Sequence, residues 1–210
     1  MKIKKLNNIL AIAFVFFLLV GLIGMFTSFE NTFKELSFFN LVLTLLLVLL
    51  SLKSDINHFI KPFIIVFLIG FIAEQIGVHT GLIFGNYSYG NSLGFRLYEV
   101  PLIIGINWAI LSYGSWHLSE YFSSNKSYRL LVGSLFLVVF DIVMEPTAIA
   151  FNYWTWNKGE IPLYNYISWF LIGFIQMFIY SKFPVKTSGI SKIVFISQFI
   201  FFIILSLKFI

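Results

Sequence analysis

Cysteine is absent from the 210 residues. Its absence excludes disulfides, thiolate metal sites and a cysteine nucleophile, and leaves the redox compartment open. Charge is scarce as well, with Asp, Glu, Lys and Arg at 11% where a soluble domain carries about 25%. The histidines, His58, His79 and His117, are spread along the chain, so no His/Asp/Glu spacing makes a metal site and none is expected. No phosphate-binding glycine loop stands beside a lysine. The last apolar run carries lysines only at its two ends, Lys192 and Lys208, which excludes a retinal-type Schiff base at its middle. The formal net charge of +5 comes from lysines scattered between apolar runs, not from a continuous stripe, so a nucleic-acid partner is not expected.

What the chain does have is hydrophobic side chains, at 59%, with aromatics at 20%. No water-soluble core hides that much apolar surface, and the reading is an all-α, polytopic membrane protein in one bundle. A bilayer core needs about 20 apolar residues per helix. Seven stretches approach that length: 9–26, 38–52, 62–78, 100–119, 130–150, 166–182 and 190–207. The basic start at residues 1–5 resembles a secretory signal, but the apolar run is long and no Ala-x-Ala site follows, which predicts an uncleaved first helix. Positive charge is retained on the cytoplasmic side. Lys2, Lys4, Lys5, Lys53, Lys61, Lys126, Arg129, Lys182, Lys186 and Lys192 fall on one side, and Lys34, Arg96, Lys158 and Lys208 on the other. The N-terminus is therefore expected in the cytoplasm and the C-terminus outside. No linker or repeat interrupts the pattern, so residues 1–210 read as one integral domain in the cell membrane, with the bilayer as its surroundings and its oligomeric state unset.

Two connections on the non-cytoplasmic side differ from the short basic loops opposite. Residues 79–99 and 151–165 are rich in Gly, Asn, Tyr and Trp, including Tyr87, Trp154, Trp156 and Asn165. Turn chemistry and an interfacial aromatic belt account for many such residues. Their concentration on one side also suits a binding loop. Gly77, Gly81 and Gly85 recur at four-residue spacing, a pattern of close helix packing.

Acids inside a membrane span cost several kcal/mol, about 2.5–3.5 on insertion scales, and normally face a cavity or a partner. Glu74, Glu99, Asp141 and Glu145 qualify. Asp141 and Glu145, four apart, share one helix face. Glu74 lies in the outer half of the third stretch beside Gln75, and Glu99 enters just before Pro101. All four are expected to converge beneath the aromatic loops. Burial and like-charge proximity favour a carboxyl group that holds a proton beside one that stays ionised, an acid next to a base. A buried polar network with Arg96, Gln75 or Asn165 as partners is the alternative. His79, at the outer end of the third stretch, suits a proton shuttle or a plain interfacial histidine. His58 reads as solvated, and His117 with Glu120 as solvated or packing residues on the opposite side.

The ordered series Ala73-Glu74-Gln75-Ile76-Gly77-Val78-His79-Thr80-Gly81, Phe84-Gly85-Asn86-Tyr87-Ser88-Tyr89, Leu93-Gly94, Val100-Pro101 before Trp108, Asp141 with Glu145-Pro146, Trp154-Thr155-Trp156, and Pro162 with Asn165 and Trp169 resembles the carotenoid biosynthesis membrane-protein family that contains the CruF-type carotenoid 1,2-hydratases. The likeness covers roughly residues 73–173, with Glu145-Pro146 where family members often show Asp-Pro. It implies addition of water to the terminal double bond of a linear, membrane-embedded carotenoid, without a cofactor. It also implies catalytic roles for Glu74 and Asp141, supported by Glu145 and Glu99, and substrate contacts for Tyr87, Trp154, Trp156, Asn165, Trp169, His79, Thr80 and Gln75. A carotenoid cyclase, which begins with the same protonation, and a non-catalytic carotenoid or lipid carrier or scaffold are the alternatives.

Overall fold

The computed structural model describes residues 2–52, 56–157, 159–184 and 189–209, with side chains in the first helix from Lys5 onward. Lys53, Lys158 and Lys186, three of the orientation charges, lie outside the described residues, as do the side chains of Lys2 and Lys4. Each of the seven expected stretches is a helix: α1 (Lys2–Gly24), α3 (Ser37–Leu52), α4 (Ile56–Thr80), α5 (Leu102–Leu118), α6 (Lys126–Ala150), α7 (Leu163–Lys182) and α8 (Ser191–Ser206), with a short α2 (Glu30–Glu35) between the first two. Four are long and apolar enough to cross a membrane: α1 from Lys5, α4, α6 and α7. Helices α3 and α8 have 16 residues and α5 has 17. At 1.5 Å per residue these are about 24–26 Å long, short of a hydrocarbon core of about 30 Å.

The outside of the bundle is apolar. Ile12 and Ile23 on α1, Leu135 on α6 and Leu171 on α7 are all exposed, a distribution that suits hydrocarbon and not water. The inside is organised around α5, which is hydrophobic all round and buried along nearly its whole length, as a central helix must be. Small residues let its neighbours close in. A Cβ on Gly114 would meet Phe195 Cβ at 2.8 Å, and one on Gly105 would meet Phe67 at 2.7 Å, contacts that no real side chain tolerates.

Local chemistry sets the helix ends at the site. Helix α4 stops at Thr80 because Gly81 takes a left-handed φ of 68°, and its N–H returns to Gly77 O at 2.8 Å, an αL cap. Helices α5 and α7 start directly after Pro101 and Pro162, both extended, where a missing N–H costs nothing. The four-residue glycine spacing is therefore not a helical packing stripe. Only Gly77 is in the helix, Gly81 caps it, and Gly85 (φ 119°) lies in the following loop.

The two aromatic connections are more ordered than loops. Strand β1 (Tyr87–Tyr89) from the first pairs antiparallel with β4 (Trp154–Trp156) from the second, in the register Tyr87 to Trp156, Ser88 to Thr155 and Tyr89 to Trp154. A second ribbon, β2 (Arg96–Leu97) with β3 (Val100–Pro101), turns through Tyr98 and Glu99, both with positive φ (47° and 68°), the signature of a tight two-residue hairpin.

Candidate functional site

Residues late in α4 and α6 meet residues early in α5 and α7, so these neighbours run antiparallel and their site-bearing ends coincide. One cavity of about 40 Å³ lies there, its walls including Glu74 from α4, Trp108 and Asn107 from α5, Asp141 and Glu145 from α6, and Asn165 and Trp169 from α7. The β1–β4 ribbon roofs it. Side chains alternate along a strand, so Tyr87, Tyr89, Trp154 and Trp156 all line the cavity, while Ser88 and Thr155 pair outside, oxygen to oxygen at 3.3 Å.

The three carboxylates are buried, Glu74 at 4% exposure, Asp141 at 1% and Glu145 at 3%, and their hydrogen bonding differs. Glu74 accepts from three donors. Trp108 Nε1 donates to Oε1 at 2.9 Å, Tyr89 donates to Oε2 at 2.7 Å, and the Tyr87 hydroxyl donates to the same oxygen. Glu145 Oε2 accepts from the indoles of Trp154 at 3.1 Å and Trp156 at 3.2 Å. Asp141 Oδ2 accepts from Asn165 Nδ2 at 2.8 Å. An indole can only donate, so Glu74 and Glu145 are held as acceptors. Burial first, and then the charge of Glu74, pushes the hydroxyls of Tyr87 and Tyr89 well above the ordinary phenol range. Both therefore stay protonated and keep donating.

Glycine makes two of these contacts possible. A Cβ at Gly70 would lie 2.6 Å from Trp108, and one at Gly77 would lie 2.7 Å from Phe84 and 3.2 Å from the Tyr87 hydroxyl. Trp108 is fixed from its other side by Trp169, stacked at 3.9 Å.

Of the expected site residues, Glu74, Asp141, Glu145, Tyr87, Trp154, Trp156, Asn165 and Trp169 share this cavity. Glu99 does not join them. It is exposed at the tip of the β2–β3 hairpin, because a two-residue turn projects its central side chains away from the bundle. His79 and Thr80 are also exposed and bond back to α4, at Gln75 O (2.8 Å) and Ile76 O (2.6 Å). Gln75 donates to Leu97 O at 2.6 Å, which fastens the hairpin to α4. Arg96 donates to Gly90 O and to Asn91 Oδ1. Of the three suggested network partners, Asn165 is the one that reaches a cavity carboxylate. Trp108, Tyr89 and Asn107 are cavity residues that the sequence did not single out as site residues; the signal for the first two was the unmet need of a buried acid for N–H and O–H donors.

Because Glu99 is exposed at the hairpin tip, Glu99→Gln is expected to change stability by no more than about 0.5 kcal/mol, measured by thermal unfolding of the detergent-purified protein; a larger loss would show that Glu99 makes buried contacts.

The opposite end of the bundle holds a separate charge cluster. Glu120 meets Arg129 at 3.1 Å, His117 at 3.2 Å and Lys192 at 3.3 Å. Burial opposes its charge, yet these three partners hold the Glu120 carboxyl down to about 2. Of the two expected roles, solvated or packing, His117 takes the second, buried at 1% exposure. Glu120 draws it into this cluster.

Residues 35–209 match a family described as "Carotenoid biosynthesis protein". The chain is 27% identical over 115 residues to bisanhydrobacterioruberin hydratase of Haloarcula japonica, an alignment covering 51% of this chain and 39% of that protein. It thus spans about two fifths of that curated relative's length. No solved structure matches.

Proposed function

The chain belongs to the carotenoid biosynthesis protein family, and from that premise we propose that it hydrates the terminal C1,C2 double bond of a linear carotenoid ψ-end. The single observation that carries this reading is a small, largely aromatic cavity with three buried carboxylates in its walls. At about 10–15 Å³ of such space per water, about 40 Å³ holds about three or four molecules.

Asp141 has one neutral donor against it and Glu74 has three. Asp141 is accordingly the carboxylic acid and Glu74 the carboxylate. The alkene π pair takes the proton of Asp141 at C2, which leaves a tertiary cation at C1. A cavity water forms the C1–O bond, and its surplus proton passes to Glu74. The sum is alkene plus water to tertiary alcohol, with no change of oxidation level, and proton return from Glu74 to Asp141 resets the site. Trp154, Trp156, Tyr87 and Trp169 surround the cation with ring density, worth about 0.5–2 kcal/mol each where close and desolvated. The same reading has all seven long helices crossing the cell membrane, N-terminus in the cytoplasm, with the carboxylates in the outer half.

The test is expression in a host that accumulates lycopene, with pigments analysed by mass. The expected product is heavier than lycopene by one or two waters. An isomeric product would make the chain a cyclase, and unchanged pigment would make it a carrier.

A further inference from the structure

A second, larger cavity adjoins the first. It has a volume of about 530 Å³, within the range of sites that enclose a sizeable ligand. Ile104, Asn107, Met144 and Trp154 belong to the walls of both. The larger space is bounded by α1, α3, α5, α6 and α8, with α2 at its edge, and its lining is overwhelmingly apolar. On one side its walls run out to the bundle surface. Phe17 and Val20 of α1 and Phe39 of α3 line it and are at the same time 47%, 39% and 63% exposed. These exposed wall residues bring one side of the space to the apolar exterior of α1 and α3, the side that a bilayer would cover.

We propose that this space is the slot for the unreacted remainder of the substrate, a long, narrow polyene that enters sideways from the membrane past α1 and α3. The proposal rests on the hydratase reading for which end of the chain reacts. Adjacency is the argument for this occupant. A molecule whose terminal alkene reaches Asp141 extends beyond the small cavity, and the residues common to both walls, Ile104, Asn107, Met144 and Trp154, set an apolar space suited to a hydrocarbon chain directly beside it. Helix α1 supplies one wall through Phe17, Leu18, Val20 and Gly21, and Met25 extends it just beyond the helix end.

Gly21 offers a direct test, because it lines the slot and a Cβ there meets nothing within 4 Å. Room for that Cβ lets a larger side chain start from this position into the slot, so tryptophan here serves as a plug. Detergent-purified parent, Gly21→Trp, Leu41→Trp as a second plug from α3, Ile12→Trp as a control on the lipid face of α1 (69% exposed), and Glu74→Gln are titrated with lycopene. Binding is read from tryptophan quenching and from the visible circular dichroism of the polyene, and conversion is read from pigment mass. Both plugs are expected to weaken lycopene binding at least tenfold, while Ile12→Trp and Glu74→Gln bind as the parent does. Parent-like binding by two folded plug variants, or no binding by the parent, overturns the slot. Binding that the plugs abolish, with no hydrated product from the parent, leaves the slot standing and removes the hydratase reading instead.

Discussion

Asp141→Asn is expected to abolish hydrated product, by a factor of about 10²–10⁴, the usual weight of a positioned general acid. The substitution is nearly isosteric and targets one property. Asp141 is 1% exposed and has a single hydrogen-bond partner among the described residues, Asn165 at 2.8 Å. Two facing amides can satisfy each other once one of them turns, so the packing of α6 on α7 survives. An amide has hydrogens to share but no acidic proton to transfer, and protonation at C2 is the step that needs one. Membrane insertion and lycopene binding should match the parent while the mass-shifted pigment disappears. Normal product from Asp141→Asn would end the assignment of Asp141 as the acid.

Much of this architecture was legible because hydrocarbon imposes simple rules. Runs of apolar residues marked each of the seven long helices to within a few residues at most ends. Helix α4 begins earlier than expected, since Pro62 falls inside it and does not open it. Asp141 and Glu145 followed from helical spacing, and Glu74 from the cost of leaving an acid in lipid. Contacts between residues distant in sequence were not legible. Tyr87 and Trp156 are separated in sequence by α5 and α6, and only their pairing in one ribbon turns two aromatic connections into a common roof. The donor role of Trp108 depends on the approach of α5 to Gly70, a packing fact that no local pattern encodes. Glu99 misled for the opposite reason. Its proximity in sequence to α5 suggested proximity to the cavity, but the turn at Tyr98 and Glu99 reverses the chain before the helix starts.

Glu74→Gln is the second substitution expected to remove product, by about 10²–10⁴, and its hydrogen bonding shows why the protein should survive it. Trp108 Nε1 points at Oε1, and the two phenols point at Oε2. A glutamine that keeps its carbonyl oxygen toward Trp108 satisfies the donor-only indole and turns its NH₂ toward Tyr87 and Tyr89. Hydroxyls rotate and can accept where they previously donated, so the NH₂ is satisfied while the two O–H groups turn toward each other or toward water in the cavity. What vanishes is the negative charge that the three donors had stabilised, and with it the acceptor for the proton that water releases on attacking the cation. The cavity, its roof and the slot beyond it are untouched. The variant should therefore bind lycopene at parental affinity and leave it unhydrated, measured as bound polyene and pigment mass on the same preparation. Loss of binding together with loss of product would make Glu74 a structural post for the aromatic roof. Retention of both would show that the water is deprotonated elsewhere, with Glu145, held by Trp154 and Trp156 across the same cavity, as the carboxylate then required to do it.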